Sequence, residues 1–166
     1  MPRRIPRDEA VRRIALLHRE SQGCLLCAVI DGRVPAARRL VTTTHADAVL
    51  TRFPREWGHV LVVARRHVTS FADTTSDEWS AVSELARQAA IAVERVLRPA
   101  RCYVASLGTT NDDVVTSYPH LHLHVLPVLR ADDRPSAMFS WEPGVLEAEE
   151  PEWDGLARAL ADGWPT

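Results

Sequence analysis

The chain is poor in cysteine, with three in 166 residues, and two of them sit close together. That is no framework for a disulfide-stapled secreted protein, so a reducing, cytoplasmic setting is expected. It also lacks any apolar run long enough to cross a bilayer, and its N-terminus has no apolar core of a signal peptide. Bulk charge of one sign is missing too. The net charge of -2 gives no general case for binding nucleic acid or a membrane. No internal repeat and no linker divides the chain. Residues 1–166 therefore read as a single domain with one real core, of ordinary apolar (46%) and charged (25%) content. The local exception is a basic N-terminus of Arg3, Arg4, Arg7, Arg12 and Arg13, which reads as a solvated arm and helix face.

Hydrophobic spacing supplies the elements. Residues 1–7 are Pro- and Arg-rich and expected to be loose. Asp8 as a cap, followed by Val11, Ile14 and Leu17, predicts a helix over 8–20 that Gly23 ends, so 1–22 form an arm and a short helix. Residues 28–31 and 38–43 suggest a hairpin around Asp31-Gly32 and Pro35. Ala46 to Thr51 suggests a further strand, and Arg52 to Gly58 a loop. His59 to Ala64 is continuously apolar, as in a strand covered on both faces. Thr74 to Asp77 would cap a long helix with an apolar face of Trp79, Val82, Leu85, Ala86, Ala89, Val93, Val96 and Leu97, stopped at Pro99. A strand over Tyr103 to Leu107 follows, with Cys102 as a small buried residue before it. Residues 131–166 read as an irregular tail with an acidic run, a helix near 153–162, and Trp141, Trp153 and Trp164 to pack it on the body or a second subunit.

Two stretches carry chemistry. In His120-Leu121-His122-Leu123-His124-Val125-Leu126, three histidines alternate with apolar residues. A strand's period of two puts all three imidazoles on one face. Pro127 suggests that the strand ends, bulges or lies at an edge there. Rings stacked this way repel when protonated and need partners when buried, so a use is implied: metal ligation, phosphate binding, proton transfer or nucleophilic attack. The second stretch is Cys24-Leu25-Leu26-Cys27. By itself the pair is either a redox dithiol or half of a zinc site.

The histidine run resembles the signature of the histidine triad (HIT) family over all seven of its positions. Gly58-His59, the apolar strand and Arg65-Arg66-His67 resemble the family's second recognisable segment. The resemblance spans about residues 24–130. It implies an α+β HIT-like fold: an antiparallel sheet of about five strands with one long helix, plus the short N-terminal helix and the irregular tail. It also implies a homodimer whose sheets adjoin, and a structural Zn²⁺ held by Cys24, Cys27, His67 and His120. His122 would be the nucleophile toward the α-phosphorus of a nucleoside phosphoramidate or dinucleoside polyphosphate, forming a covalent nucleotidyl-histidine. His124 and His59 would surround the phosphate as donors, and Ser117 would stand near the leaving group. The implied activity is that of a nucleotide phosphohydrolase or nucleotidyl transferase. A nucleotide-binding regulatory module with little turnover is the alternative. Two departures concern the nucleoside. Thr51 stands where relatives often carry an acidic residue that grips the ribose, and Val115-Thr116-Ser117 replaces a common Gly-Gln-Ser. Asn111 stands for a family asparagine as a substrate contact, and Thr51, Asp112 and Asp113 are left as possible sugar contacts. The remaining histidines, His18 and His45, read as surface residues.

Overall fold

The computed structural model describes residues 2–108 and 118–166. Strand β1 (Arg3–Ile5) leads into helix α1 (Arg7–Ser21), helix α2 (Leu25–Ile30), and strands β2 (Arg38–Thr42), β3 (Ala46–Leu50) and β4 (Val60–Ala64). The long helix α3 (Ser76–Leu97), β5 (Arg101–Ala105), β6 (His122–Val128), the short α4 (Pro135–Met138), β7 (Val145–Glu147) and α5 (Glu150–Gly163) follow. Strands β2 to β6 form one antiparallel sheet in the order β2-β3-β4-β6-β5.

β4 is apolar on both faces because both are covered. Val60 and Val62 face the layer of α3 and α5, where they meet Val82, Leu85, Ala89, Val93, Trp153 and Leu160. Leu61 and Val63 face the other way, onto Leu26 and Ile30 of α2. β6 alternates in the same manner. Leu121, Leu123 and Val125 join the α3 layer, leaving the even-numbered histidines to the α2 side. Pro127 lies inside β6 rather than ending it. Its position faces the β4 side, where pairing stops at Val60–Val125, so the missing N–H leaves no ladder partner waiting. β5 starts two residues earlier than the spacing suggests, because its register is fixed by pairing Arg101 with Val128 and Ala105 with His124.

Several expectations are corrected. Residues 28–31 are not a strand but part of α2, and no hairpin forms with β2. Leu25, Leu26, Ala28 and Ile30 are all buried, and a short run that is apolar all round carries no period to separate helix from strand. Asp8 is not the cap of α1. Pro6 takes that place, and Asp8 lies in the first turn, where it accepts from Arg12 at 2.8 Å. Trp79 is 39% exposed and packs edge-on against Phe71, so the buried face of α3 starts at Val82.

The two chain ends are tied together. β1 pairs with β7, and Ile5 is buried, so residues 3–5 are not loose, while the Arg3 and Arg4 side chains stay exposed. Arg3 and Arg13 both pair with Glu147, Arg4 with Glu56 and Arg7 with Glu142. The tail is therefore regular in part: β7 closes this ribbon, and α5 begins at Glu150, where Glu149 and Glu152 form a capping box. Trp153 stacks on Trp57 with ring centroids 4.7 Å apart, and Trp164 Nε1 donates to Gln88.

α3 is pinned at its start. Thr75 and Glu78 form a capping box, and Arg66, just past β4, donates to both Glu78 oxygens at 2.7 Å. The Arg66 guanidinium, with the Thr75 backbone N–H, holds the Glu78 carboxyl down at about 2, below its ordinary 4.5. A carboxyl depressed by folding stabilises above its unfolded value, and that stability drains away as pH falls through the folded one. The stability advantage of the wild type over Arg66→Gln is thus expected to be full above about pH 5. It should shrink steadily toward pH 2, as read by chemical denaturation across pH.

Candidate functional site

The three alternating histidines lie on one face of the sheet, with His120 and His122 each 1% exposed. They divide into two groups along that face. His120, just before β6, turns toward α2; His122 and His124 turn toward His59 at the start of β4.

The first group is a four-residue knuckle. The ligand atoms of Cys24, Cys27, His67 and His120 all lie within 4.8 Å of one another. His120 Nδ1 is 3.2 Å from Cys24 Sγ and 3.4 Å from Cys27 Sγ, and His67 Nδ1 is 3.3 Å from Cys27 Sγ. His120 Nε2 donates to the Ala64 carbonyl at 2.7 Å, which fixes the tautomer and leaves the Nδ1 lone pair facing the sulfurs. That is the orientation a metal-ligating imidazole needs. Two soft thiolates and two imidazoles at these separations suit a tetrahedral ion such as zinc. The protein sets the knuckle from its sheet: the Cys24 thiol caps α2 by accepting from Cys27 N–H, and Arg39 binds the Val29 and Ile30 carbonyls at the helix's other end. Arg39 also pairs with Asp47, a fully buried β3 carboxylate held on its other oxygen by Arg65 at 2.8 Å. Without a cation, burial and the neighbouring Cys24 push the Cys27 thiol up to about 12.

The second group is a chain of imidazoles. The Arg55 backbone N–H points at His59 Nδ1 (3.4 Å), so the His59 proton sits on Nε2. His59 Nε2 then donates to His124 Nδ1 at 2.9 Å, and His124 Nε2 donates to His122 Nε2 at 3.0 Å. His122 Nδ1 donates to the His120 carbonyl at 2.7 Å. Each assignment forces the next, and every ring is neutral. Burial supplies that neutrality: it holds His59 down at about 3, with His122 adding to the effect, and lowers His124 and His122 as well. The outcome is a lone pair on His122 Nε2 that faces a proton on His124.

Tyr118 borders this cluster, and neither composition nor spacing singled it out. Its ring centroid is 5.8 Å from that of His122 and 5.4 Å from that of His18. His18 is consequently half-buried rather than a surface residue, and its buried Nε2 has no partner among the described residues. His45 is half-buried as well. Gly108 also escaped notice. A Cβ there would meet the Tyr118 carbonyl at 3.0 Å and His122 Cε1 at 3.3 Å, so backbone lies directly against the His122 ring. Tyr118 and Thr51 both line a narrow apolar cleft between α1, α2 and β3, with Leu17, Leu26, Val34 and Phe53 among its walls. The cleft thus meets the histidine cluster at Tyr118. Asn111, Asp112, Asp113 and Ser117 lie outside the described residues. Among the described residues no helix is long and apolar enough to cross a membrane.

With this geometry in hand, comparison with known proteins is informative. The HIT domain family profile matches residues 33–130. An uncharacterized HIT-like protein of Mycoplasma genitalium is 33% identical over 108 residues, covering 64% of this chain and 74% of the relative. The structure superposes on a Zn-bound histidine triad family protein from Mycobacterium smegmatis with a TM-score of 0.65 and 25% identity, over 86% of this chain and 96% of that one. It also superposes on Plasmodium falciparum diadenosine triphosphate hydrolase, with a TM-score of 0.60 and 12% identity over 78% and 77% of the two chains, a likeness of fold. The profile match starts after Cys24 and Cys27, so the knuckle's sulfur half and α1 lie outside it.

Metal chemistry follows directly from the donor set. Titrating metal-free protein with Co²⁺ is expected to release thiol protons and raise a sulfur-to-metal charge-transfer band in the near ultraviolet. Cys24→Ser should weaken that band strongly; an unchanged spectrum would exclude the knuckle as the binding site.

Proposed function

Because the chain belongs to the HIT domain family, we propose that it cleaves or transfers nucleotides at the α-phosphate of nucleoside phosphoramidates or dinucleoside polyphosphates. The observation that carries this reading is the forced tautomer of His122: Nδ1–H is fixed on the His120 carbonyl, so Nε2 is the unprotonated nitrogen that can act as nucleophile. In the proposed first step the Nε2 lone pair attacks the α-phosphorus. A P–N bond forms as the bond to the leaving group breaks; the leaving group departs with the bonding pair and takes a proton from water, while His124 Nε2–H, released from His122, donates to a non-bridging phosphate oxygen. In the second step water attacks the same phosphorus and loses a proton to the solvent, with His124 Nε2–H still donating to the phosphate. The P–N bond breaks, and His122 recovers its lone pair with release of the nucleoside monophosphate. Another acceptor in place of water makes the reaction a transfer.

His59 stands behind His124 at 2.9 Å and is assigned the role of fixing its tautomer, with the Arg55 backbone N–H fixing His59 in turn. Neutral rings suit this chemistry. A protonated His122 has no lone pair to offer, and burial disfavours that form. The nucleoside is placed in the apolar cleft beside Tyr118, with Thr51 in its wall, and Ser117 and Asn111 are carried as further contacts.

The knuckle is proposed to hold one zinc ion through Cys24, Cys27, His67 and His120. A closed four-ligand site stabilises the chain and leaves no open position for substrate. Its residues act on the reaction only by position, since the His120 carbonyl is what fixes His122. A homodimer belongs to the same proposal, built on the free edge of β5, where Val104 is 49% exposed.

Incubation with an adenosine phosphoramidate or a diadenosine polyphosphate is the test. Turnover is expected in the wild type, falling by roughly 10³-fold or more in His122→Ala with the fold intact. In single-turnover quench experiments, nucleotide should be found attached to the protein in the wild type alone. Equal turnover in both proteins would refute the assignment of His122.

A further inference from the structure

The cleft that meets the histidine cluster has an unusual polar complement. Among the described residues its walls are aliphatic apart from Thr51, Arg52, Phe53 and Tyr118, and none of these wall residues is a carboxylate. Among these side chains the charged one is Arg52. It lies where the cleft opens into an adjoining groove, which Arg52, Leu17 and Phe53 line in common with Arg13, Glu20 and Glu147.

Arg52 is poorly engaged. Its side chain is 41% exposed, and its carboxylate neighbour, Glu150, stands 3.9 Å away. Glu150 is itself committed to Arg38 at 2.9 Å. Of the two acids in the groove, Glu147 is spoken for, since Arg3 and Arg13 both take it. Glu20 lines the groove but not the cleft. The backbone beneath Arg52 is fixed: Thr51 N–H points at the His59 carbonyl (3.4 Å), linking this rim to the residue that orients His124.

We propose that the cleft takes a nucleotide whose ribose carries a second phosphate, on its 2′- or 3′-oxygen, and that Arg52 recognises that phosphate. The inference rests on the cleft being the nucleoside site. A plain ribose presents two hydroxyl donors, which a carboxylate accepts well and a guanidinium does not. A ribose phosphate reverses both preferences: a carboxylate repels it, and an arginine's planar fork binds it through two charge-assisted hydrogen bonds. The same exchange of an acid for an arginine distinguishes phosphorylated from free ribose in dinucleotide-binding folds. Here Thr51 stands where relatives often carry the acid, and among the described wall residues the arginine is the charged one. Tyr118 and Arg52 both belong to the cleft wall, so the proposed ligand has its 5′-phosphate toward His122 and its second phosphate at the Arg52 guanidinium.

Calorimetric binding of AMP, adenosine 2′,5′-bisphosphate and adenosine 3′,5′-bisphosphate to the full chain tests this. One bisphosphate is expected to bind about tenfold or more tightly than AMP, and the comparison of the two identifies the oxygen. The advantage should drop to about twofold or less in Arg52→Gln and be only partly kept in Arg52→Lys, which retains charge without the fork. Equal binding of all three nucleotides overturns the proposal, and so does a bisphosphate advantage that survives in Arg52→Gln. Turnover of a nucleoside phosphoramidate without any bisphosphate advantage overturns this inference alone. A bisphosphate advantage without turnover supports it and overturns the reaction instead.

Discussion

A buried imidazole must be neutral, and each of its two nitrogens must find a complementary partner. That constraint governs the centre of this protein. His59, His124 and His122 are removed from water, so each is held in the uncharged form, and a neutral ring has one donor and one acceptor. With the Arg55 N–H fixing one end and the His120 carbonyl the other, the hydrogen bonds have a single consistent direction. The β pleat makes this possible by bringing alternate residues of β6 to one face, while the cross-strand register sets His124 opposite Leu61, two residues into β4 from His59. His120 ends one arrangement and begins the other. Its backbone carbonyl orients His122, and its ring, anchored on Ala64, turns to the two cysteines.

The rest of the fold holds this face in place. α3 and α5 bury the opposite face of the sheet, and α2 closes the near face over Leu61 and Val63. Arginine does much of the cross-linking. Arg39 connects α2, β2 and the buried Asp47, Arg66 ties the end of β4 to α3, and Arg38 joins β2 to α5 through Asp154. The planar fork suits such multi-acceptor contacts better than a lysine's point charge would. Pairing of the basic N-terminus with acids of the tail fastens α1 beside the cleft that reaches His122 through Tyr118.

Much of this was legible in the residues. The long amphipathic helix and the alternating histidines carry strong periodic signals, β4 is an unbroken apolar run, and each became the element read from it. The residues named for the knuckle and those named for the histidine cluster are brought together in space. What escaped was non-local or aperiodic. A six-residue helix buried on every side, α2, has no polar face to reveal its period. The β1–β7 ribbon joins three-residue strands more than 130 positions apart, and only the opposite charge runs at the two ends hinted at it. Pro127 is tolerated mid-strand because its neighbour ends first, a fact of sheet registry that no local reading contains. Tyr118 and Gly108 matter through contacts to His122 that only the folded chain defines.

The directional chain of neutral rings can be observed without substrate or metal chemistry intervening. Long-range ¹⁵N–¹H correlation spectra of the histidine side chains at neutral pH report which nitrogen carries each proton. The account predicts an Nδ1–H tautomer for His122 and Nε2–H tautomers for His124 and His59. An Nε2–H tautomer at His122, or an imidazolium at any of the three, would contradict it.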